Sequence, residues 1–454
     1  MNIPDNLIEK YNIPTPRYTS YPTVPHWQES KMNADEWLSV VQRTFNETNA
    51  QQGISIYIHL PYCESLCTYC ACNTRITKNH SIEDSYIEAL LSEWGIYLDR
   101  FDTKPILREL HLGGGTPTFF SSKNLNRLID AICNTVTLHP EYAFSFEGHP
   151  NNTTFDHLKA LYDVGFTRVS YGVQDLDIKV QKAINRIQPF TNVSRATEEA
   201  RKVGFTSINF DLVYGLPFQQ ASSIINTVDS VLSLQPERIA FYSYAHVPWK
   251  RPGQRAYTED DLPHGNVKRK LYEVGKANML ANGYLDIGMD HFALSSDELY
   301  KAYQNKSIHR NFMGYTTATT DLLIGLGTSA ISDAKYAYAQ NQKTVEHYKN
   351  AVENNHIDLI NGHFLSEEDI QIKQYILDII CNGEICWRND PGLLDINMLI
   401  QLNQMADEGL ITLFENGFRV TDLGMAFIRN ICVVFDKRLA RAQSIERPLF
   451  SQAI

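Results

Sequence analysis

Four of the eight cysteines fall within ten positions, in a segment that begins at Cys63 and ends at Cys72. The first three, Cys63, Cys67 and Cys70, follow a C-x3-C-x2-C spacing, and Cys72 comes after one further residue. A strand-like run over Ile54–Ile58 precedes this loop. Thiolates at this density on a loop are suited to a soft metal or an iron–sulfur cluster.

Three interpretations of these cysteines are compatible with their spacing. Three thiolates can hold three irons of a four-iron cluster, which leaves the fourth iron open for a small molecule. A structural zinc site is the second interpretation, although such sites usually pair two C-x2-C knuckles and the sequence has no second one. The third is a group of small buried side chains. A disulfide cluster is disfavoured because the N-terminal residues lack the features of a secretory signal.

Composition limits the class of protein. A chain of 454 residues with 43% hydrophobic residues is long enough for two or three domains with sizeable cores. The net charge of −11 gives no electrostatic reason to expect nucleic-acid binding. No apolar run has the length that spans a bilayer, so we expect a cytoplasmic protein with reduced thiols. Nothing in the sequence demands more than a monomer, which is the expected oligomeric state.

Strand and helix patterns alternate between residue 54 and about residue 248. Six strands are predicted at Ser55–Leu60, Leu107–Leu112, Ala143–Glu147, Arg168–Val173, Ser207–Val213 and Arg238–Tyr244. Six β/α repeats predict an α/β fold with a parallel sheet, and six are too few for a closed eight-stranded barrel. We therefore predict an open (β/α)6 barrel, three quarters of a TIM barrel, over residues 51–364 with its extension.

The remaining segments flank this barrel. Residues 1–50 are predicted to form a proline-rich arm and one helix, and residues 365–454 a mostly helical, winged-helix-like domain. Within that domain we predict helices over Ser366–Ile380, Ile396–Glu408 and Asp422–Cys432, with a β-hairpin at Gly409–Phe414 and Gly417–Thr421 before the last helix. By composition the arm is an extended surface segment, although Arg17 and two tyrosines on it could form a lid. The C-terminal domain has no basic recognition face, which favours a packing or lid role over nucleic-acid binding.

Polar residues and glycines recur where the predicted strands end. They are Gly113–Pro117, Glu147, Gln174, Asp211 and the Tyr244–Pro248 run, with Arg186 on the helical stretch after the fourth strand. Each alone is more often structural than functional. Because ligands bind at the carboxyl ends of parallel strands, their recurrence predicts one shared site.

Several motifs in a fixed order resemble one known family. They are the arm Pro16–Thr23, the four-cysteine loop, Gly113–Pro117, Gly172–Asp175, Asp211–Pro217 and His309–Thr317, within a resemblance that covers residues 11–436. This set is similar to the oxygen-independent coproporphyrinogen III oxidases (coproporphyrinogen dehydrogenases) of the radical S-adenosylmethionine (SAM) superfamily. In that family the N-terminal arm covers the active site, which favours the lid interpretation here.

The resemblance implies cofactors and their ligands. Cys63, Cys67 and Cys70 are implied to hold a [4Fe-4S] cluster whose open iron binds SAM. Residues implied to contact SAM are Tyr57, Tyr69, Gly114, Gly115, Thr116, Glu147 (with the ribose), Gln174, Arg186, Asp211 and Ala245. The family is described as holding two SAM molecules, and Ile331 matches a contact to the second. One departure is His149, which stands where the family usually has an acidic residue.

The implied reaction is a radical oxidative decarboxylation. Reduced SAM yields a 5′-deoxyadenosyl radical that removes hydrogen from a propionate of coproporphyrinogen III, and two propionates become the vinyl groups of protoporphyrinogen IX. Arg17 and Arg310 are candidates to meet the substrate carboxylates, and Cys72 is a candidate to support catalysis or SAM placement. The electron donor and acceptor are unidentified. The alternatives are a haem-binding chaperone, which lacks the fourth cysteine and the arm motif, and a haem-degrading radical SAM methyltransferase.

Overall fold

The structure is a computed structural model that describes residues 3–27, 32–387 and 393–441. Its strands are β1 Ile54–Leu60, β2 Tyr62–Cys63, β3 Arg75–Ile76, β4 Ile106–Gly114, β5 Thr137–Gly148, β6 Phe166–Gln174, β7 Ser207–Tyr214, β8 Arg238–Ser243, β9 Leu285–Gly288, β10 His291–Ala293, β11 His309–Asn311, β12 Gly314–Thr316, β13 Leu323–Leu326, β14 Ile331–Asp333, β15 Ala337–Asn341, β16 Leu359–Phe364, β17 Glu384–Cys386, β18 Ile411–Phe414 and β19 Gly417–Val420.

Its α-helices are α1 Asp5–Tyr11, α2 Ala34–Gln52, α3 Glu83–Leu98, α4 Ser122–Cys133, α5 Phe155–Asp163, α6 Ile178–Ala183, α7 Phe190–Val203, α8 Ala221–Ser233, α9 Gly265–Ala281, α10 Glu298–Gln304, α11 Val345–Glu353, α12 Glu367–Asn382, α13 Ile396–Asp407, α14 Asp422–Met425, α15 Ile428–Val433 and α16 Lys437–Arg441. Within the described part of the chain, no helix combines the length and apolar character needed to cross a bilayer.

One twelve-stranded sheet organises the molecule, in the order β16-β15-β14-β13-β1-β4-β5-β6-β7-β8-β10-β9. The six predicted strands are β1, β4, β5, β6, β7 and β8, and each pairs in parallel with the next. Helices connect them, so the predicted (β/α)6 arrangement is confirmed. A seventh parallel strand, β13, pairs with β1 and extends the sheet beyond the prediction.

The strands alternate between an apolar outer face and a polar inner face. On β1, the outward residues Ile54, Ile56, Ile58 and Leu60 are fully buried against the helices. The inner face of neighbouring β4 carries Glu109 and His111, which line a cavity of about 140 Å³ inside the sheet. Burying each large aliphatic side chain contributes about 1.5–3 kcal/mol, so the outer layer stabilises the fold while the inner layer is free for chemistry.

Local signals explain where several helices begin and end. Helix α4 begins after Ser121, whose side chain accepts a hydrogen bond from the backbone of Asn124. Helix α12 begins with a capping box between Ser366 and Asp369 and ends at Gly383 in the left-handed conformation. The predicted single helix over Asp422–Cys432 is wrong, since the structure divides it into α14 and α15.

The N-terminal arm is largely buried. Tyr18 and Tyr21 are each 2% exposed and pack in one apolar cluster with the C-terminal helices, so the interpretation as an extended surface segment is wrong. The tyrosine hydroxyl of Tyr18 donates to Asp436 at 2.9 Å. Helix α1 was not predicted, because a seven-residue helix depends on tertiary contacts such as the 2.6 Å hydrogen bond from Tyr11 to Glu408.

The C-terminal segment joins helices α12 and α13 to a three-stranded sheet, in the order β17-β19-β18. This agrees with the predicted helices and hairpin. Residues 442–454 of the predicted domain lie outside the described residues. The division of the chain at residues 50 and 364 stays a prediction.

Candidate active site

The cysteine loop follows β1 and is tied to the sheet by its backbone. The amide of Arg75 donates to the carbonyl of Pro61 at 2.8 Å, and the amide of Thr77 donates to Cys63 at 2.9 Å. In the middle of the loop, the amide of Thr68 donates to the carbonyl of Ile184 at 2.9 Å. These bonds fix the loop at the carboxyl end of the sheet.

The loop forms one wall of a cavity of about 530 Å³, which we call the cofactor cavity. Cys63, Cys67 and Cys70 are partly exposed and line it. A hydrogen bond from Cys72 lowers the pKa of Cys70 to about 6, which favours a thiolate. Burial raises the pKa of Cys63 to about 11, and bound iron would displace that proton.

Arg186 supplies positive charge to the cysteine loop. Its Nη1 lies 3.6 Å from Sγ of Cys67, and its Nη2 donates to the carbonyl of Gly172 at 2.5 Å. Its Nε is buried and has no hydrogen-bond partner within the described residues. An arginine held in this way favours negative charge in the cofactor cavity.

The glycine turn at the end of β4 lies directly against the cysteine loop. A Cβ on Gly115 would lie 2.6 Å from the carbonyl carbon of Pro61. Gly114 has a φ of +108°, and a Cβ there would lie 2.5 Å from the ring of His59. Only glycine permits this close approach, which leaves backbone groups open to a ligand.

Glu147 is an ionised acceptor at the end of β5. Burial raises its pKa, but the hydrogen bonds from His111 and from the backbone of Gly114 outweigh that effect, so the pKa is lowered. Its Oε2 accepts from the Gly114 amide at 3.1 Å, and its Oε1 lies 3.6 Å from His111 Nε2. A carboxylate in this state can accept hydrogen bonds from two neighbouring hydroxyls.

Asp211 and Gln174 add polar groups from the next two strands. Burial and the nearby Glu147 raise the pKa of Asp211 to about 6, and its carboxylate accepts from Ser170 and Asn209, each at 2.9 Å. Gln174 has a φ of +67°, which is uncommon for a residue other than glycine. Such backbone strain concentrates at functional sites.

The structure brings most of the predicted residues together. Those that line the cofactor cavity are Cys63, Cys67, Tyr69, Cys70, Cys72, Gly114, Gly115, Thr116, Glu147, Gln174, Arg186 and Asp211. Tyr57 lies just behind the lining, because a Cβ on Gly113 would be 3.0 Å from both Tyr57 and Glu147. The carbonyl of Ala245 accepts a hydrogen bond from Gln254, which also donates to the cysteine-loop residue Tyr69.

Three predicted residues lie elsewhere. Ile331 begins β14, two strands from β1, with its carbonyl beside Gly325. Arg17 pairs with Asp290 at 3.2 Å in a neighbouring pocket. Arg310 is buried on β11, its guanidinium 4.8 Å from the ring of Tyr315.

Sequence reasoning missed two histidines at the site. His59 Nε2 lies 2.8 Å from the carbonyl of Asn73, its Nδ1 lies 3.1 Å from the Tyr57 hydroxyl, and His111 contacts Glu147. Both belong to the polar inner face, so the period-two pattern of their strands could have identified them. His149, noted as a departure, lines the cofactor cavity, where burial and Arg186 hold its pKa far below the usual value and keep it neutral.

The donor set fits an iron–sulfur cluster with SAM. Within residues 3–27, 32–387 and 393–441, no three His, Cys, Asp or Glu side chains converge as they do around a single metal ion. The cysteines of a cluster each bind a different iron and need not converge. The glycine turn that a Cβ would fill, and the unpartnered Nε of Arg186, suit a polar cofactor beside it.

Comparisons with known proteins agree with this site. A model of the Radical SAM superfamily matches residues 57–231. The oxygen-independent coproporphyrinogen III oxidase of Pseudomonas aeruginosa is 35% identical over 458 residues, which cover 99% of this chain and 98% of that protein. The enzyme of the same name from Helicobacter pylori is 36% identical, with 95% of each chain covered.

A solved structure agrees over the same extent. Coproporphyrinogen III oxidase from Escherichia coli, described as a radical SAM enzyme, superposes with a TM-score of 0.88 at 34% identity. The match covers 96% of this chain and 99% of that one. The chain therefore belongs to the oxygen-independent coproporphyrinogen III oxidase family of the radical SAM superfamily.

Proposed function

We propose that this protein converts coproporphyrinogen III to protoporphyrinogen IX by radical SAM chemistry in haem biosynthesis. The observation that carries the proposal is the convergence of three thiols, a glycine turn and the ionised Glu147 on one cavity at the carboxyl edge of the sheet. From each of two propionates the reaction removes one hydrogen atom, CO2 and one electron, which leaves a vinyl group. An unidentified acceptor takes that electron.

The cofactors would be held by residues already in place. Cys63, Cys67 and Cys70 would hold the [4Fe-4S] cluster, which together with SAM supplies a hydrogen-abstracting radical when reduced. The turn at Gly114 and Gly115 would accommodate the amino acid part of SAM with its backbone. Glu147 would accept the ribose hydroxyls, because its lowered pKa keeps it ionised.

The remaining polar residues orient these groups. Arg186 places positive charge beside Cys67 and would balance the negative charge of the thiolate loop. Asp211, with its pKa of about 6, and Gln174 line the same cavity.

Further assignments are parts of the same proposal. Ile331 would contact a second SAM, and Cys72 would support turnover without being needed for iron. Arg17, in a pocket next to the cofactor cavity, would meet a substrate carboxylate. Arg310 would act through the cavity of about 140 Å³ inside the sheet, because its guanidinium lies 4.8 Å from the ring of Tyr315, which lines that cavity. The protein would work as a monomer in the reducing cytoplasm.

Anaerobic product analysis tests the proposal. The protein is reconstituted with iron and sulfide, then supplied with dithionite, SAM and coproporphyrinogen III. We expect two CO2 and one protoporphyrinogen IX for each substrate consumed. If the protein has an intact cluster and cleaves SAM but forms neither CO2 nor protoporphyrinogen IX, the assignment is wrong. Tight haem binding without turnover would instead indicate a chaperone, and a methylated tetrapyrrole would indicate a methyltransferase.

A further inference from the structure

A row of polar side chains runs across the inner face of the sheet and ends at Glu147. It consists of Arg168 on β6, Ser145 and Glu147 on β5, and His111 on β4. All four line the cavity of about 140 Å³ inside the sheet, and Glu147 also lines the cofactor cavity. His111 does not line the cofactor cavity, and its side chain is 16% exposed against 45% for Glu147. His111 can therefore act on a ligand in that cavity only through a residue that reaches it.

The hydrogen bonds along this row place a proton on Nε2 of His111. Nη2 of Arg168 lies 3.1 Å from Oγ of Ser145, and a guanidinium can only donate. The hydroxyl of Ser145 therefore accepts from Arg168 and has its one proton left for Nδ1 of His111, 2.8 Å away. Since Nδ1 accepts this bond, the proton of the neutral imidazole is assigned to Nε2. A protonated imidazole would carry a proton there as well.

The proton on Nε2 faces Glu147. Nε2 lies 3.6 Å from Oε1 of Glu147, while the amide of Gly114 donates to Oε2 at 3.1 Å. Burial raises the pKa of Glu147, but His111 and the Gly114 amide outweigh burial and lower the pKa overall. A carboxylate oxygen has two lone pairs. Each oxygen of Glu147 thus meets one donor from the protein and can accept one further hydrogen bond.

Strand β4 places the same imidazole beside Tyr57, which is predicted to contact SAM. The ring centroids of His111 and Tyr57 lie 6.0 Å apart, with an angle of 18° between the ring planes. Gly113 follows two residues later on the same face of β4, and a Cβ there would lie 3.0 Å from both Tyr57 and Glu147. Because Gly113 has no side chain, His111 is the side chain that this part of β4 offers to both residues.

We propose that His111 is a positioning residue for SAM, whose Nε2 holds Oε1 of Glu147 so that the carboxylate offers one lone pair from each oxygen to the two ribose hydroxyls. This inference rests on the proposed function, in which Glu147 accepts those hydroxyls. A binding side chain is effective when supporting hydrogen bonds lock its rotamer. Polar contacts at enzyme sites often shorten when the ligand binds, and a separation of 3.6 Å is within reach of such a change.

SAM binding by two His111 variants tests this role. The proteins are reconstituted anaerobically with iron and sulfide, and their affinity for SAM is measured by calorimetry. His111→Asn keeps an acceptor for Ser145 but has no donor that reaches Glu147, whereas His111→Gln places an amide N–H near the position of Nε2. We expect the affinity to fall about tenfold in His111→Asn, as for loss of one hydrogen bond to a charged group, and to recover largely in His111→Gln.

A double-mutant cycle separates positioning from a general effect on the fold. If His111 acts through Glu147, His111→Asn costs little further affinity in a chain that already carries Glu147→Gln, because the carboxylate that it orients is gone. Should Glu147→Gln bind SAM too weakly to measure, SAM is compared with an analogue that lacks both ribose hydroxyls. His111→Asn should then weaken binding of SAM and leave binding of the analogue unchanged.

His157→Asn is the matched control. Nε2 of His157 lies 2.9 Å from the carbonyl of Phe120, and His157 lines neither cavity. Its substitution is expected to lower the free energy of unfolding without changing the affinity for SAM. Should His111→Asn fail to fold, His111→Phe is measured with the same expectations.

Two results would overturn the inference. One is unchanged affinity for SAM in a folded His111→Asn variant with normal iron content. The other is an equal loss with and without the Glu147 carboxylate, or for both ligands, which would indicate that His111 only supports the fold. Failure of the proposed reaction is distinguishable, because it appears as a wild type that binds SAM and forms no protoporphyrinogen IX.

Discussion

Nη1 of Arg186 lies 3.6 Å from Sγ of Cys67, so the connection between α6 and α7 places a positive charge beside the cysteine loop. The same guanidinium is held in place by the carbonyl of Gly172 at 2.5 Å. Reduction of an iron–sulfur cluster adds negative charge, and hydrogen bonds and charge near the sulfurs set its potential. We therefore expect the charge of Arg186 to raise the reduction potential of a cluster bound by this loop.

Removing this charge should make the cluster harder to reduce. We expect Arg186→Gln to bind a normal amount of iron but to have a midpoint potential lower by tens of millivolts, because a nearby cation stabilises the reduced form. Arg186→Lys should lie between the two. Redox titration followed by electron paramagnetic resonance measures this, and equal potentials in all three proteins would contradict the assigned role.

The cysteines should separate into two classes. Cys63→Ser is expected to lose the cluster, whereas Cys72→Ser keeps its iron and loses turnover. Iron and sulfide content per chain, with product formation, distinguishes them. Cys386→Ser is the control, because Cys386 is exposed on β17 in the C-terminal sheet. Full activity of Cys72→Ser would show that its proposed role is wrong.

Much of the site was predictable because it follows from strand order. Once Glu147 and Asp211 are placed at the ends of parallel strands, sheet geometry brings them to one edge. The cysteine loop was equally predictable from the sequence, since the three cysteines expected to bind the cluster are close together in the chain. The same logic applied to His111 would have placed it on the inner face beside Glu147.

The unpredicted features depend on contacts between distant segments. One pocket beside the N-terminal arm combines Arg17, Arg269 and Arg429 from three parts of the chain, and no local pattern indicates that they meet. The burial of Tyr18 likewise depends on contacts with the C-terminal segment, where its hydroxyl donates to Asp436. Propensity and periodicity describe local structure, whereas such packing is decided by the whole fold.

The glycine turn should tolerate no side chain. Gly115→Ala would place a Cβ 2.6 Å from the backbone of Pro61, so the cysteine loop must shift. We expect lower iron content and weaker SAM binding, measured by calorimetry on the reconstituted protein, with a loss of about 1–3 kcal/mol in stability.

Gly95→Ala is the matched control for that substitution. Gly95 lies within α3, and a Cβ there meets nothing within 4 Å. Because alanine is favoured over glycine in helices, we expect a gain of about 0.5–1 kcal/mol in the free energy of unfolding. SAM binding should not change. Similar effects from both substitutions would contradict the assigned contact between Gly115 and the loop.

The buried carboxyl of Glu93 should make stability depend on pH. It accepts hydrogen bonds from the Gly327 amide at 2.8 Å, Asn341 at 2.6 Å and Tyr348 at 2.7 Å. Burial nevertheless raises its pKa from 4.5 to about 7. Below pH 4.5 the group is protonated in both the folded and unfolded chain and has no effect on stability through ionisation.

Between pH 4.5 and 7 the unfolded chain releases this proton before the folded chain does, so stability falls as the pH rises. Above pH 7 the full penalty, about 3 kcal/mol, is present. Glu93→Gln has no such ionisation, although its amide leaves a donor unsatisfied at every pH, at a cost of about 1–3 kcal/mol.

From pH 5 to pH 8 the free energy of unfolding of the wild type should therefore fall, relative to that of the variant, by most of about 3 kcal/mol. Urea unfolding at both pH values measures this, with Glu88→Gln on the exposed side of α3 as control. Parallel pH profiles for the wild type and Glu93→Gln would contradict a raised pKa at Glu93.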